Sequence, residues 1–271
     1  MFKIIKNISS EVDIKGAVDY VSELSKNISI RKGEDDLGNF LFQRLTHNQI
    51  MSSNSIRNLL FNDKLLKKIK ETVGEFYFIN FVSGKINSFG TKTHRDGQSF
   101  GYNYEGIKKS SKIFKVLFYL NIDSIRIPDG FGLDLNVLDV NLKNIFFNKK
   151  VFMKVNYYYE HYFRKKMMKS LKLSSKDVVL MDNNCWHRGS INKQRPVNEK
   201  DYKIKKILLD YEIATEKQAA LDYAVYVRNY FINVKRKVEM NKDYSDKIDQ
   251  DLLNDNYKSN FEKNNIKILN V

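Results

Sequence analysis

The chain has 271 residues, of which 42% are hydrophobic and 13% aromatic, enough apolar side chains for the core of one folded domain. No stretch reaches the roughly 18 consecutive apolar residues that a membrane-spanning helix needs, which argues against a membrane span. The net charge of +15 comes mostly from lysines scattered along the chain, which disfavours nucleic-acid binding by a clustered basic surface. The single cysteine, Cys185, excludes an intramolecular disulfide and fits a reducing, cytoplasmic compartment.

Residues 1–75 are expected to form a helical support. Glu11 to Lys26 has the apolar spacing of an amphipathic helix. A second helix is predicted from Asp63 to Val73, because Asn62 or Asp63 can cap its first turn and Gly74 ends it. Both helices are expected to pack outside a core of strands.

That core is predicted in residues 76–213, where apolar and aromatic segments have the composition of buried strands. The first strand is predicted within Glu75 to Val82. Three more are predicted in Lys115–Asn121, Ser175–Asp182 and Ile204–Ile213. The whole chain is therefore expected to be a single domain.

Residues 214–271 are expected to be a helical extension. The segment Thr215–Gln218 has the form of a capping box, which predicts a helix running through Tyr223 towards Phe231. The apolar spacing of this helix suits either packing on the core or a homodimer contact. The polar tail from Asn241 to Val271 is expected to be helical in pieces or frayed.

The most informative motif is His94-Arg95-Asp96, followed much later by His187. On an extended segment, residues two apart point to the same side, so His94 and Asp96 can present an imidazole and a carboxylate to one ion. Two imidazoles and one carboxylate on one face of an octahedral ion are diagnostic of non-haem Fe(II) oxygenases. A zinc hydrolase can use the same ligands, so the ligands alone do not choose between the two metals.

Two further segments are candidates for substrate contact. Gly97–Gly106 is rich in glycine and aromatic residues beside the metal motif and is a candidate lid. Phe146–Phe147, Met153 and Tyr157–Tyr159 suggest an aromatic wall, with ordinary core packing as an equal alternative.

Three segments together resemble the phytanoyl-CoA dioxygenase-like family of 2-oxoglutarate/Fe(II)-dependent oxygenases. They are THRDG from Thr93 to Gly97, KVLFYLNID ending at Asp123, and KDVVLMDNNCWHRGSIN ending at Asn192. The resemblance covers roughly Phe76 to Tyr211. It implies a mainly β fold with flanking helices, built around a cupin-like jelly-roll, or double-stranded β-helix.

The resemblance implies that His94, Asp96 and His187 are the metal ligands. The carboxylate of Asp96 also separates this chain from relatives that halogenate, which lack it, so hydroxylation or a related oxidation is expected. The family's Pro-Gly-Ser-His segment after the KVLFYLNID-like strand is missing here. The substrate of the relatives therefore cannot be assigned to this protein.

The family also implies a cation for the far carboxylate of 2-oxoglutarate, usually an arginine at the start of the last core strand. Arg195 is the favoured candidate and Lys205 the next, because strand alternation places Lys203, Lys205 and Ile207 on one face. The alternative is that these cations are solvated surface groups. Ser190 corresponds to a family serine near that carboxylate, displaced by one residue.

The expected function is therefore an Fe(II)- and 2-oxoglutarate-dependent dioxygenase that consumes O2, hydroxylates an unactivated carbon and releases succinate and CO2. The expected substrate is a small, anionic metabolite such as a sugar derivative, an acyl thioester or a natural-product intermediate. The alternatives are a nucleic-acid base demethylase of the same chemistry, a zinc-dependent hydrolase, and a non-catalytic jelly-roll binding module.

Overall fold

The computed structural model describes residues 1–35, 38–89, 94–96, 112–136, 168–190, 195–226 and 261–269. The strands are β1 Phe2–Ile5, β2 Arg31–Asp35, β3 Gly38–Leu45, β4 Tyr77–Ile86, β5 Ile113–Asn121, β6 Leu133–Asn136, β7 Met168–Ser170, β8 Val178–Asp182, β9 His187–Gly189, β10 Lys206–Ala214 and β11 Lys267–Leu269. The helices are α1 Glu11–Ser25, α2 His47–Met51, α3 Asn54–Phe61, α4 Asp63–Val73 and α5 over residues 217–226, with a short 3-10 helix at Glu199–Asp201.

Two sheets face each other. The large sheet has the strand order β1-β8-β5-β10-β4-β3-β2, and β11 pairs in parallel with β4. The small sheet has the order β7-β6-β9. One buried cluster draws side chains from both sheets, for example Tyr119 of β5 and Leu135 of β6. The fold is mainly β, with helices on the outside, and has the two facing sheets of a jelly-roll.

Strand β10 shows how the residues of the large sheet divide between its two faces. One set of alternate residues packs against the helices, in a cluster we call the outer core: Ile207, Leu209, Tyr211 and Ile213. The other set points towards the small sheet, and three of its four members are charged: Lys206, Leu208, Asp210 and Glu212. The inner face of the barrel is therefore polar at β10, although the strand is buried.

The two helices predicted in the N-terminal part are present. Helix α1 begins after Ser10, whose hydroxyl accepts a hydrogen bond from the Asp13 amide. Helix α4 begins after Asn62, whose side chain accepts from the Leu65 amide at 2.9 Å. Gly74 ends α4 with φ of 84°, a left-handed conformation that favours glycine. Helices α2 and α3 were not predicted.

Residues 1–75, expected to be helical, also supply three strands to the large sheet. β1 pairs with β8, with Phe2 opposite Met181, and β3 pairs with β4. Four residues are too few for alternation to reveal β1, and its partner lies far along the chain. Pairing between distant segments, which local pattern does not encode, decides this edge of the sheet.

The C-terminal part covers one end of the large sheet. Helix α5 packs its small apolar residues against β4 and β5, in a cluster that includes Ala220, Tyr223, Ile79 and Ile113. The Thr215 hydroxyl donates to the Lys112 carbonyl at 3.4 Å. The tail, expected to be helical or frayed, returns to the sheet as β11. A homodimer contact through this helix stays a prediction.

Several predicted features lie outside the described residues, namely the lid at Gly97–Gly106, the aromatic wall at 146–159 and the end of the C-terminal helix near Phe231. Over the described ranges, no helix has both the length and the apolar character needed to cross a membrane.

Candidate metal centre

The backbone brings the two histidines of the predicted ligand set together. The His94 amide donates to the His187 carbonyl at 2.9 Å, and the His187 amide donates to the His94 carbonyl at 2.9 Å. This antiparallel bridge extends the small sheet beyond β9, where His187 is already paired with Leu135 of β6. The two imidazole centroids are consequently 4.4 Å apart.

Asp96 completes the cluster, two residues after His94. Its Oδ1 lies 3.6 Å from Nε2 of His94, and its Oδ2 lies 3.5 Å from Nε2 of His187. The three candidate ligand atoms all lie within 4.8 Å of one another. Two imidazole nitrogens and a carboxylate oxygen at this spacing fit a divalent transition metal.

The side chains of His187 and Asp96 are also in the protonation states that a metal requires. Nδ1 of His187 lies 2.9 Å from the Cys185 carbonyl, so this nitrogen carries the proton and Nε2 is left to bind. Burial, assisted by His94, lowers the pKa of His187 to about 3, so the imidazole is neutral at pH 7. Burial alone would raise the pKa of Asp96, but Lys115 and the two histidines hold it well below its usual range.

Arg95, between the two motif ligands, points away from them as expected. Its guanidinium carbon lies 4.9 Å from the ring centroid of Trp186, the residue before His187. Both side chains are buried, with Arg95 only 4% exposed. The stacked pair therefore ties the His94–Asp96 segment to the strand that carries the distal histidine.

Arg95→Ala is expected to lower the free energy of unfolding by about 2 kcal/mol, since a desolvated cation–π pair is worth that much. The matched control is Arg44→Ala, because Arg44 is half-buried and 6.0 Å from the ring of Phe42. Its loss should cost less than about 1 kcal/mol. Equal losses in urea unfolding of the two variants would contradict the role given to Arg95.

Charged groups that the sequence reasoning missed lie behind Asp96. Nζ of Lys115 on β5 lies 2.8 Å from Oδ2 of Asp96 and 3.5 Å from Oε1 of Glu212 on β10. Burial alone would lower the pKa of Lys115, but Asp96, Asp210 and Glu212 raise it well above its usual value. Burial raises the pKa of Glu212 to about 7, against the effect of Lys115. The signal in the sequence was the pair of acidic residues, two apart, within an apolar strand.

A second polar cluster lies on the small sheet near the start of β10. Ser190 donates to Oδ1 of Asp134 at 2.6 Å, and Nε of Arg188 donates to Oδ2 of the same carboxylate at 3.0 Å. Lys206, 1% exposed, is close enough to Asp134 for the carboxylate to influence its pKa. Its Nζ donates to the Phe131 carbonyl at 3.1 Å.

Alternation groups Lys203 and Lys205 with Ile207 on one strand face, and a role for Lys205 in holding the co-substrate stays a prediction. The strand face that carries Ile207 packs in the outer core, and Lys206 is the lysine on the inner face. Nζ of Lys206 lies 4.8 Å from the ring centroid of Phe89, a member of the cluster between the sheets. Alternation sorts these residues by strand face, but the sequence does not show which face of β10 meets the helices.

Arg195, the cation favoured from the sequence, lies beside β3, next to the edge strand β2 of the large sheet. It is buried, and its Nε donates to the carbonyl of Asn39 on β3 at 3.2 Å. The Lys205 amide donates to the side chain of Asn87 at 2.8 Å, and its side chain is half-buried. The described contacts bring His94, Asp96 and His187 together, and place Ser190 beside Asp134.

Lys206→Met is expected to stabilise the fold at low pH. Burial lowers the pKa of Lys206 to about 7, so below pH 7 the folded protein holds a buried ammonium. From about pH 7 to the unfolded value near 10.4 the unfolded chain binds more protons, so wild-type stability rises with pH. The increase in the free energy of unfolding that Lys206→Met brings should thus be largest at pH 6 and become smaller towards pH 10. Urea unfolding of both proteins across this pH range measures the difference in their free energies of unfolding. A difference that does not change with pH would contradict the lowered pKa of Lys206.

No protein-family model matches the chain, and no curated protein matches its sequence. It is similar to the non-heme alpha ketoglutarate dependent epimerase SnoN from nogalamycin biosynthesis, with a TM-score of 0.54 and 8% identity over 79% of this chain and 76% of that one. SnoN in complex with Fe3+, alpha ketoglutarate and nogalamycin RO gives a TM-score of 0.53 and 8% identity over 79% and 78%.

The two proteins share a fold. At this level of identity the likeness establishes the jelly-roll architecture and confirms the predicted fold class. The narrower resemblance to the phytanoyl-CoA dioxygenase-like family stays a prediction.

Proposed function

We propose that this protein is an Fe(II)- and 2-oxoglutarate-dependent oxygenase. The observation that carries the proposal is the convergence of His94, Asp96 and His187, whose candidate ligand atoms all lie within 4.8 Å of one another. Two imidazoles and a carboxylate would hold the ion and leave positions for a co-substrate and O2. The SnoN complex with Fe3+ and alpha ketoglutarate, which has the same fold, supports this choice.

The co-substrate's far carboxylate is assigned to Lys206. Ser190 donates to Oδ1 of Asp134 at 2.6 Å and would have to exchange that hydrogen bond to serve as a second donor. Arg188 partners the carboxylate of Asp134 at 3.0 Å, which reduces the competition of that anion for Lys206. An ammonium whose pKa burial has lowered to about 7 gains most from an incoming carboxylate. In this proposal Lys206 takes the role first given to Arg195 and Lys205. Its ammonium would contact the carboxylate as a point charge, where an arginine would make two parallel hydrogen bonds.

The reaction proposed is oxidation of an unactivated carbon. When bound, the metal and 2-oxoglutarate would supply the oxidising chemistry, with O2 consumed and succinate and CO2 released. The protein's own groups would orient the metal through Asp96, bind the co-substrate through Lys206 and exclude water. Hydroxylation is the proposed outcome, with the epimerisation named for SnoN, which leaves the oxidation state of the substrate unchanged, as the alternative reaction to test for.

The proposed substrate is a small, anionic metabolite such as a sugar derivative, an acyl thioester or a natural-product intermediate. The net charge of +15 supports an anionic ligand. The location proposed is the cytoplasm, which suits the buried thiol of Cys185, the single cysteine of the sequence.

Anaerobic titration of the metal-free protein with Fe(II) and 2-oxoglutarate tests the proposal. The expected result is the weak visible charge-transfer band of the chelated co-substrate, followed by 2-oxoglutarate-dependent oxygen consumption when air is admitted. Metal binding without this band would overturn the proposal in favour of zinc chemistry. Absence of metal binding would favour a non-catalytic binding module.

A zinc-dependent hydrolase is the second candidate, and one observation favours it. A hydrolase needs a general base, and Glu212 is a buried carboxyl with a pKa raised to about 7 close to the ligand cluster. Its Oε1 is, however, already engaged by Lys115 and Tyr223. Hydrolysis of a test ester that depends on added zinc and is lost in Glu212→Gln would establish this alternative.

A further inference from the structure

A continuous series of polar contacts connects Asp96 with helix α5. Nζ of Lys115 lies 2.8 Å from Oδ2 of Asp96 and 3.5 Å from Oε1 of Glu212. The hydroxyl of Tyr223 on α5 donates to the same Glu212 oxygen at 3.3 Å. The series runs from the metal motif through β5 and β10 to the C-terminal helix.

These groups are withdrawn from water. The exposed fraction is 16% for the Lys115 side chain, 17% for Asp96 and 7% for Glu212. Buried ion pairs are a poor way to stabilise a fold, because removing two charges from water costs as much as their attraction returns. The next inner-face residue of β5 is Leu117, which packs with the apolar cluster between the sheets. A lysine at position 115 therefore calls for a reason beyond strand packing.

The reason lies in what a metal requires of a carboxylate. An aspartate can bind an ion through one oxygen or through both, and its orientation decides which. An ammonium 2.8 Å from Oδ2 attracts that oxygen and opposes approach of a dication to it. Partners behind metal ligands set ligand orientation and metal affinity in this way.

We propose that Lys115 is a positioning residue of the metal centre, which holds Asp96 for coordination through one oxygen, and that Glu212 and Tyr223 hold Lys115. This inference rests on the proposed metal site. It makes α5 part of the centre, because Tyr223 is fixed by packing with Ala220 and Ile113 at the end of the large sheet. The C-terminal helix would then help set the metal's coordination as well as cover the barrel.

Cobalt(II) is the probe, since its visible d–d spectrum reports coordination without turnover. In the full chain, Lys115→Met is expected to weaken Co(II) binding by about 10- to 100-fold, the usual effect of removing a partner of a metal ligand, and to change the d–d spectrum. Tyr223→Phe removes one hydroxyl and should weaken binding by about fivefold, with a smaller spectral change in the same direction.

The matched control is Tyr211→Phe. Tyr211 is also a buried tyrosine and directly precedes Glu212, but its hydroxyl donates to the Leu60 carbonyl at 3.1 Å on the helix side of the sheet. This variant should bind Co(II) with wild-type affinity and spectrum. If Lys115→Met does not fold, the comparison of Tyr223→Phe with Tyr211→Phe decides the matter.

The proposal is overturned if folded Lys115→Met, or the tyrosine comparison, gives wild-type Co(II) affinity with an unchanged spectrum. In that case the metal site stands and only the positioning role fails. Failure of the wild-type protein to bind Co(II) overturns the proposed function first, and this inference with it. The two failures are therefore distinguishable in one set of titrations.

Discussion

His187→Ala is expected to abolish the charge-transfer band of the anaerobic Fe(II) and 2-oxoglutarate complex and to stop 2-oxoglutarate-dependent oxygen consumption. The change removes Nε2, which lies 3.5 Å from Oδ2 of Asp96, and leaves two of the three ligand side chains. Metal affinity should fall by more than about 100-fold, since losing even a partner behind a ligand costs 10- to 100-fold. The β-bridge with His94 uses backbone atoms only, so the variant should fold.

His47→Ala provides the matched control for this loss. Nδ1 of His47 accepts a hydrogen bond from the Val82 amide at 3.2 Å, at the start of helix α2 and away from the ligand cluster. The control should keep the band and the oxygen consumption. If His187→Ala kept the full band while His47→Ala lost it, the ligand assignment would be wrong.

Lys206→Met is expected to weaken binding of 2-oxoglutarate by at least about 30-fold, because losing one partner of a buried charge pair costs 2 kcal/mol or more. Fe(II) binding itself should be unchanged, since the ligand cluster is intact. The measurement is 2-oxoglutarate titration of the Fe(II) protein, following the charge-transfer band. Lys205→Met and Arg195→Met are the discriminating comparisons. If either of these variants bound 2-oxoglutarate more weakly while Lys206→Met bound it normally, the carboxylate site would lie at Arg195 or Lys205 instead.

The same site predicts a pH dependence. Burial lowers the pKa of Lys206 to about 7, so above pH 7 the free protein must take up a proton to offer an ammonium to the carboxylate. Affinity for 2-oxoglutarate should therefore fall as pH rises from about 7 to 9, by up to tenfold per unit. The slope should disappear in Lys206→Met. A wild-type affinity independent of pH over this range would argue against Lys206.

Local pattern was sufficient for the parts of the fold whose determinants are close together in sequence. The cap at Asn62 and the stop at Gly74 bounded helix α4, because capping depends on residues within one turn. The apolar segments that became β5, β8 and β10 were visible because each is buried along most of its length. Strand β1 was not predicted, because its four residues are too few to show the alternation of a strand.

By itself, the sequence determined which three side chains are candidate ligands, because His94-Arg95-Asp96 and His187 supply two imidazoles and a carboxylate, and its resemblance to a known family implied the mainly β fold. Only the tertiary structure decided that His187 pairs with His94, and that Lys206 rather than Lys205 faces the interior. It also placed Lys115 against Asp96. Each of these depends on which strands pair and which sheet face meets the helices. Contacts between distant segments make those choices, and no local spacing records them.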